Sequence, residues 1–285
     1  MGTPGSRLAF PAHRETVLDI LRQSQRIPSF PVLRKMNLAK VDAARTVSDV
    51  RIGWTALFGR AYALVCNELP ELRDIYVAYP MRHLYRHPNS VCSLSIHRKD
   101  DQGQDRLIWG RWVSAETMTL LEIQKQLDDF CTAPLQKVYR DGLRMERTPS
   151  LLRRFAWWYC MNCCGRKRAK HIGTFSISSL GGQAALNLHH PLITASSLAF
   201  GPIDAQGQME VVLIADHRSI DGVLAATALR MLESKMSSEV LLELQALGTG
   251  DARKESVATH PFCVSPPQLC FMMEYPKTPL TSRHG

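Results

Sequence analysis

The run Leu213-Ile214-Ala215-Asp216-His217-Arg218-Ser219-Ile220-Asp221-Gly222 holds the residues best placed for chemistry. An apolar, strand-like stretch ends in a histidine, and an Asp-Gly pair follows ahead of a small-residue helix. An imidazole held at a strand end, with an ordinary pKa of about 6.5, can take a proton from a thiol, hydroxyl or amine at neutral pH. Asp221 would fix the turn through an ion pair or backbone hydrogen bonds. The pattern H-x-x-x-D is short and arises often by chance, so His217 draws its weight from its surroundings. Cys160, Cys163 and Cys164 include a C-x-x-C pair, but a structural zinc site needs a second pair and only His171 lies near. No metal site is expected. His189 and His190 precede Pro191 in an apolar loop, where they either touch a substrate or pack the loop. His83, His87 and His97 show no ligand spacing.

The elements that must position these residues follow from periodicity. Residues 1–26 read as a polar, helix-leaning arm. Ile27 to Leu38 is extended, because Pro28 and Pro31 block a helix. A helix is expected over Ile52 to Leu69, ended by Pro70. Strands are expected at Val91 to Ile96 and Leu107 to Val113, with a polar turn between them. Leu120, Ile123, Leu127 and Phe130 mark one face of an amphipathic helix. Thr174 to Leu180, Ser196 to Phe200 and Met209 to Ala215 read as strands, the first capped by Gly181-Gly182 and the last two joined by a turn over Gly201 to Gly207. Val223, Ala226, Leu229 and Leu232 define a closing helix. The expected architecture is an α/β two-layer sandwich of a mixed sheet with helices. It spans residues 27–246, after the arm and before a Gly-, Pro- and Ser-rich tail at 247–285 expected to be poorly ordered.

Composition narrows the function classes. The chain has 285 residues, 45% apolar and 21% charged, enough to bury a core. The net charge of +9 is concentrated: between Pro134 and His171 stand ten basic side chains and two acids, Asp141 and Glu146. A nucleic-acid binder, with basic residues spread over a domain face, is therefore disfavoured. No apolar leader precedes the eight cysteines, which suits unpaired thiols and a cytoplasmic location. The apolar stretch from Phe155 to Cys164 is too short to span a bilayer.

A second run, Gly173-Thr174-Phe175-Ser176-Ile177-Ser178-Ser179-Leu180-Gly181, stands upstream of the histidine motif. Together the two resemble the signatures of the catalytic domain of dihydrolipoamide acyltransferases, the core subunits of 2-oxoacid dehydrogenase complexes, related in fold to chloramphenicol acetyltransferase. Ile27-Pro28-Ser29-Phe30 and Pro70-Glu71-Leu72 extend the resemblance over roughly residues 27 to 236. It implies that His217 is the general base, Ser178 the hydrogen-bond donor to the tetrahedral oxyanion, and Asp221 the structural acid. It also implies a homotrimer whose sites lie between neighbours, the histidine from one subunit and the serine from the next. The donor would be a coenzyme A thioester or an acyl carrier protein, with no covalently bound cofactor.

Three departures bear on this expectation. Residues 1–26 leave no room for a lipoyl domain, so a lipoyl-dependent transacylase would need another chain to supply the arm. Leu107 to Val113, with Trp109 and Trp112, replaces a Gly-Leu-x-x-Pro-Val strand, and the tryptophans either reshape a substrate channel or pack a sheet face. A basic, aromatic insertion at 148–170 would contact a membrane, pack within or between subunits, or meet a phosphorylated donor. A non-catalytic trimeric scaffold binding membrane or partner through 148–170 is the rival from another class. The trio of His217, Ser178 and Asp221 speaks against it.

Overall fold

The computed structural model describes residues 5–11, 13–100, 103–180 and 183–248. The expected Gly181-Gly182 cap and the tail from residue 249 onward lie outside them. Strand-forming and helix-forming stretches alternate along the chain: α1 (Arg14–Ser24), β1 (Ser29–Asn37), α2 (Ala39–Val47), α3 (Trp54–Glu68), β2 (Asp74–Val77), β3 (His83–Arg86), β4 (Val91–Lys99), β5 (Asp105–Val113), α4 (Leu120–Thr132), α5 (Leu135–Val138), α6 (Arg140–Arg147), α7 (Ser150–Asn162), α8 (Gly165–His171), β6 (Phe175–Ile177), β7 (Ser196–Ile203), β8 (Gln208–Asp216), α9 (Gly222–Lys235) and α10 (Leu241–Gly248). Six strands form one sheet in the order β1-β8-β7-β6-β4-β5, with β6 parallel to both neighbours and the other pairs antiparallel; β2 and β3 make a separate hairpin. This is the expected mixed sheet.

Period-two alternation assigns the two faces of the sheet. Val211, Leu213 and Ala215 of β8 point into the main core with Leu198 and Phe200, against Ala56, Phe58 and Tyr62 of α3 and Ala225, Ala228, Leu229 and Leu232 of α9. Val212, Ile214 and Ala199 point the other way, into a smaller core closed by Met161, Ile172 and Leu192. The insertion at 148–170 therefore forms α7 and α8 and covers part of the sheet's second face. Its basic character misled on one point: Arg153 and Arg168 are turned inward. Arg153 is buried and bonds the buried Asp19 carboxylate at 2.5 Å and Glu15 at 2.9 Å, fastening the N-terminal helix to α7. The arm is thus docked on the domain through α1.

The tryptophans of β5 pack rather than shape a channel. Trp112 is fully buried against α3, and Trp109 lies 6.2 Å, ring to ring, from Tyr139. Trp112 fits because residue 59 of α3 is glycine; a methyl group there would run into the indole ring. The β7–β8 turn is shorter than expected: β7 continues through a bulge between Phe200 and Ile203, leaving Asp204 to Gly207 as the turn. Five cysteines (Cys66, Cys92, Cys160, Cys163 and Cys164) carry free thiols. Cys131 is disulfide-bonded, which departs from the expectation of unpaired thiols. Among the described residues, no helix is long and apolar enough to cross a membrane.

Gly59→Ala should overpack this contact and cost about 1–3 kcal/mol. Thermal denaturation should show a clearly lowered Tm, and combining it with Trp112→Leu, which frees the volume, should recover part of the loss.

Candidate active site

β8 carries the histidine motif to the end of the sheet. His217 directly follows its last residue and still donates its backbone N–H to Pro28 O at 2.9 Å, so the turn begins at a pinned position. The backbone N–H groups of Ser219 and Ile220 both return to Asp216 O at 3.0 Å. Asp221 then caps α9, accepting the Leu224 N–H at 2.8 Å. Of the two roles open to Asp221, backbone hydrogen bonding is the one observed. A helix cap of this kind is worth about 1 kcal/mol and fixes the exit of the turn.

The His217 ring is exposed and rests 4.5 Å from the Phe30 ring, centroid to centroid. Its Nδ1 lies 3.2 Å from the Ile220 carbonyl. A carbonyl only accepts, so Nδ1 carries the proton in this bond and Nε2 keeps its lone pair. That is the tautomer a general base requires, held by the turn itself.

Beneath the turn lies a cluster that sequence reasoning missed. Asp216 is buried at the strand end and binds Arg218 through two bonds, Nε to Oδ1 at 2.8 Å and Nη2 to Oδ2 at 2.6 Å. The Arg218 guanidinium lies 4.5 Å from the centre of the Tyr76 ring. Arg168 of α8 reaches in as well, donating to Ile193 O at 2.9 and 3.1 Å and to Tyr76 O at 3.2 Å. Complete burial holds its guanidinium down at about 10, opposed by the Asp216 carboxylate. Asp216 and Arg218 flank His217 in sequence and so were visible in the motif. Arg168 was one base among ten, with no signal to single it out.

Ser178 stands elsewhere. It follows β6 and donates its backbone N–H to Leu198 O at 2.9 Å. The register β6 to β7 to β8 sets Ile177 against Leu198 and Leu198 against Leu213. His217 lies beyond the opposite end of that ladder. At about 3.3 Å per residue and 4.8 Å per strand, Ser178 and His217 of one chain are roughly 19 Å apart. The structure does not bring the two together within a chain. Asp221 and His217 share one turn.

The face of β6 that carries Ser176 holds a polar network. Ser176 Oγ lies 2.7 Å from Ser197 Oγ and 3.1 Å from Thr194 Oγ1, while His190 Nε2 sits 2.6 Å from Ser197 Oγ. Burial pushes the His190 imidazole down to about 4, with a smaller contribution from neighbouring His189, so it is neutral at pH 7. His189 is exposed and bonds Ser29 Oγ at 3.1 Å, on the strand that anchors His217. Among the described residues, no three His, Cys, Asp or Glu side chains converge as a metal site. Burial pushes the Cys160 thiol up to about 11, which leaves it a poor ligand or nucleophile.

No protein-family model and no curated protein matches the sequence. Solved structures do. A probable dihydrolipoamide acetyltransferase from Listeria monocytogenes superposes with a TM-score of 0.60 at 17% identity, over 82% of this chain and 94% of its own. A truncated catalytic core of the 2-oxoacid dehydrogenase multienzyme complex from Thermoplasma acidophilum gives 0.61 at 16%, over 82% and 99%. The dihydrolipoamide acetyltransferase of Azotobacter vinelandii gives 0.60 at 16%, over 84% and 95%. The chain has the fold of an acetyltransferase catalytic core. The resemblance carried by the two sequence motifs is thus matched by the architecture, and the catalytic-core fold accounts for nearly all of each matched structure while α7 and α8 sit on one face of its sheet.

Two outcomes test the site's construction. Asp216→Asn leaves Arg168 and Arg218 without their buried countercharge and should cost on the order of 3–5 kcal/mol, read as a large fall in Tm. For His190, the unfolded chain takes up a proton below the ordinary value of 6.5 that the folded chain refuses until about 4. Its stabilising contribution is therefore complete above pH 6.5 and lost as pH falls towards 4. A Tm-against-pH series should show a shallower decline across that window in His190→Gln than in wild type.

Proposed function

We propose that the protein is an acyltransferase that moves an acyl group from a thioester donor to a hydroxyl, thiol or amine acceptor. The observation that carries this reading is the His217 imidazole at the end of β8: its Nδ1 is held by the Ile220 carbonyl and its Nε2 is left to accept a proton. In the proposed reaction Nε2 takes the acceptor's proton as the acceptor heteroatom attacks the thioester carbonyl carbon. The tetrahedral oxyanion receives a hydrogen bond from the Ser178 hydroxyl, a contact of a kind worth about 2.7–4 kcal/mol of barrier. Collapse breaks the carbon–sulfur bond, and the departing thiolate recovers the proton from His217. Atoms and charge balance without a metal or an acyl-enzyme.

The roughly 19 Å between His217 and Ser178 supports a site shared between copies. A C3 trimer in which Ser178 of one subunit faces His217 of the next supplies both groups to one substrate. The Azotobacter structure was studied for the roles of a serine, a histidine and an asparagine in its catalytic mechanism. We place Ser178, His217 and Asp221 in the corresponding positions, an acid standing here in place of the amide. Acyl-CoA is the donor we favour, and an acyl carrier protein arm presents the same thioester. A lipoyl-dependent transacylase is the second reading, supported by the matched structures named as dihydrolipoamide acetyltransferases.

Thiol release from short- to long-chain acyl-CoAs and from S-acyl-dihydrolipoamide should be lost in His217→Ala and reduced about 10²–10³-fold in Ser178→Ala. Co-expressing the two variants distinguishes a shared site from a single-chain one. In random mixed trimers a site needs an intact histidine from one subunit and an intact serine from its neighbour, so about a quarter of wild-type activity should return. Activity no higher than that of Ser178→Ala, diluted by the partner, would exclude sharing. Equal background release by wild type and His217→Ala, without donor binding by calorimetry, would exclude the acyltransferase.

A further inference from the structure

The outer face of α7 is inverted relative to an ordinary surface helix. Leu151, Leu152 and Phe155 are 77%, 63% and 63% exposed, and Tyr159 is also exposed; these residues form a stripe that turns away from the sheet. The inner side is already used, by Met161, Trp157 and Cys160 in the smaller core and by the Arg153 bonds to α1. Phe155 stacks on Trp158 at 6.0 Å and on Tyr159 at 6.4 Å, making a continuous aromatic surface. A contiguous exposed apolar patch of this kind marks an interaction site.

Its rim is cationic. Lys167 Nζ lies 5.0 Å over the Tyr159 ring, and Arg166 and Lys170 are exposed on α8. On the other side a cleft of about 320 Å³ between α1 and α7 is lined by Arg22, Gln23, Gln25, Arg26, Arg154 and Trp158. Arg22 shares Asp19 with Arg153, whereas Arg26 and Arg154 are exposed. No Asp or Glu occurs in the sequence from Arg147 to Ile203. Two such faces brought together would set like charge against like charge, which disfavours self-pairing through this surface. An apolar helical stripe between cations matches a helix lying in the interface of an anionic bilayer.

We propose that α7 is a docking surface for an anionic lipid bilayer. Leu151, Leu152, Phe155 and Tyr159 enter the headgroup–acyl boundary, and a headgroup phosphate sits in the cleft beside Arg26 and Arg154. The helix lies on the membrane and does not span it. This inference stands apart from the acyl-transfer reading and survives the failure of that reading.

The test is flotation of the full chain with phosphatidylcholine vesicles, with and without phosphatidylserine, across a salt series. Wild type should float only with the phosphatidylserine vesicles and should release as salt rises. Arg26→Gln combined with Arg154→Gln should weaken binding roughly 30-fold, from about 1 kcal/mol for each cation near the surface. Leu151→Ser with Phe155→Ser should abolish it, and both variants should keep the wild-type Tm because these side chains are exposed. No binding by wild type, binding independent of phosphatidylserine, or binding intact in both variants would overturn the proposal. So would a smaller assembly for Leu151→Ser with Phe155→Ser in sedimentation, which would assign the stripe to contact between copies.

Discussion

The site is built around a carboxylate buried at the end of a strand. Asp216 ends β8 in the interior, where an uncompensated charge would cost several kcal/mol. Arg218 answers it directly and in doing so folds back across the turn that carries His217. Arg168 lies below and brings a second positive charge, and its bonds to the Ile193 and Tyr76 carbonyls fasten α8 beside the sheet. The position of α8 then constrains the β2–β3 hairpin. Its first residue, Gly165, packs so tightly against Tyr85 that any side chain would collide. Tyr76 of β2 gives its carbonyl to Arg168 and its ring to Arg218. One buried charge thus ties the central sheet, a separate hairpin and an inserted helix to the orientation of a single imidazole.

The same sheet holds the two sequence motifs apart within one chain. Gly173 to Gly181 and Asp216 to Gly222 read as two halves of one site. Register keeps them apart within one chain: β6 runs parallel to β7 and β7 antiparallel to β8, so a residue just past β6 and a residue just past β8 lie at opposite ends of the sheet. No side-chain rotation closes a gap of roughly 19 Å. If the two groups serve one substrate, as proposed, they would have to come from different copies related by an axis, and the chemistry would depend on assembly as much as on folding.

Much of the fold was legible because apolar residues recur at spacings that only one element satisfies. α4 shows Leu120, Ile123 and Leu127 on one face, and its Thr119 and Glu122 close a reciprocal cap at its start. β1, β4, β5 and β8 were read within a few residues of their bounds. Weaker elements were missed for physical reasons. α2 buries only Val41, and β2 and β3 have four residues each, too few to show a period. Between Pro134 and His171, composition marked ten cations without separating surface from core, yet Arg153 and Arg168 are core residues. A guanidinium's burial depends on a carboxylate or carbonyl far along the chain, such as Asp19 or Ile193, and no local pattern reports that. For the site, residue identities were readable from the two motifs, whereas the Asp221 cap, the His217 tautomer and the distance to Ser178 required the three-dimensional register.

The two sides of the insertion's helix pair are thus separable. Its inner side packs Met161 against the sheet and sets Arg168 near Asp216 through hydrogen bonds to the Ile193 and Tyr76 carbonyls. Its outer side is free of those duties and carries the aromatic stripe. Contacts run from α7 through α8 and Arg168 to Tyr76, whose ring faces Arg218 beside His217, and if that link is rigid it passes on orientation without shifting an equilibrium. Seating α7 on a surface would turn the His217 end of the sheet to a fixed direction relative to that surface. On the two proposals together, the consequence would be selection of acceptors by where they lie, with the His217 tautomer left as the Ile220 carbonyl sets it.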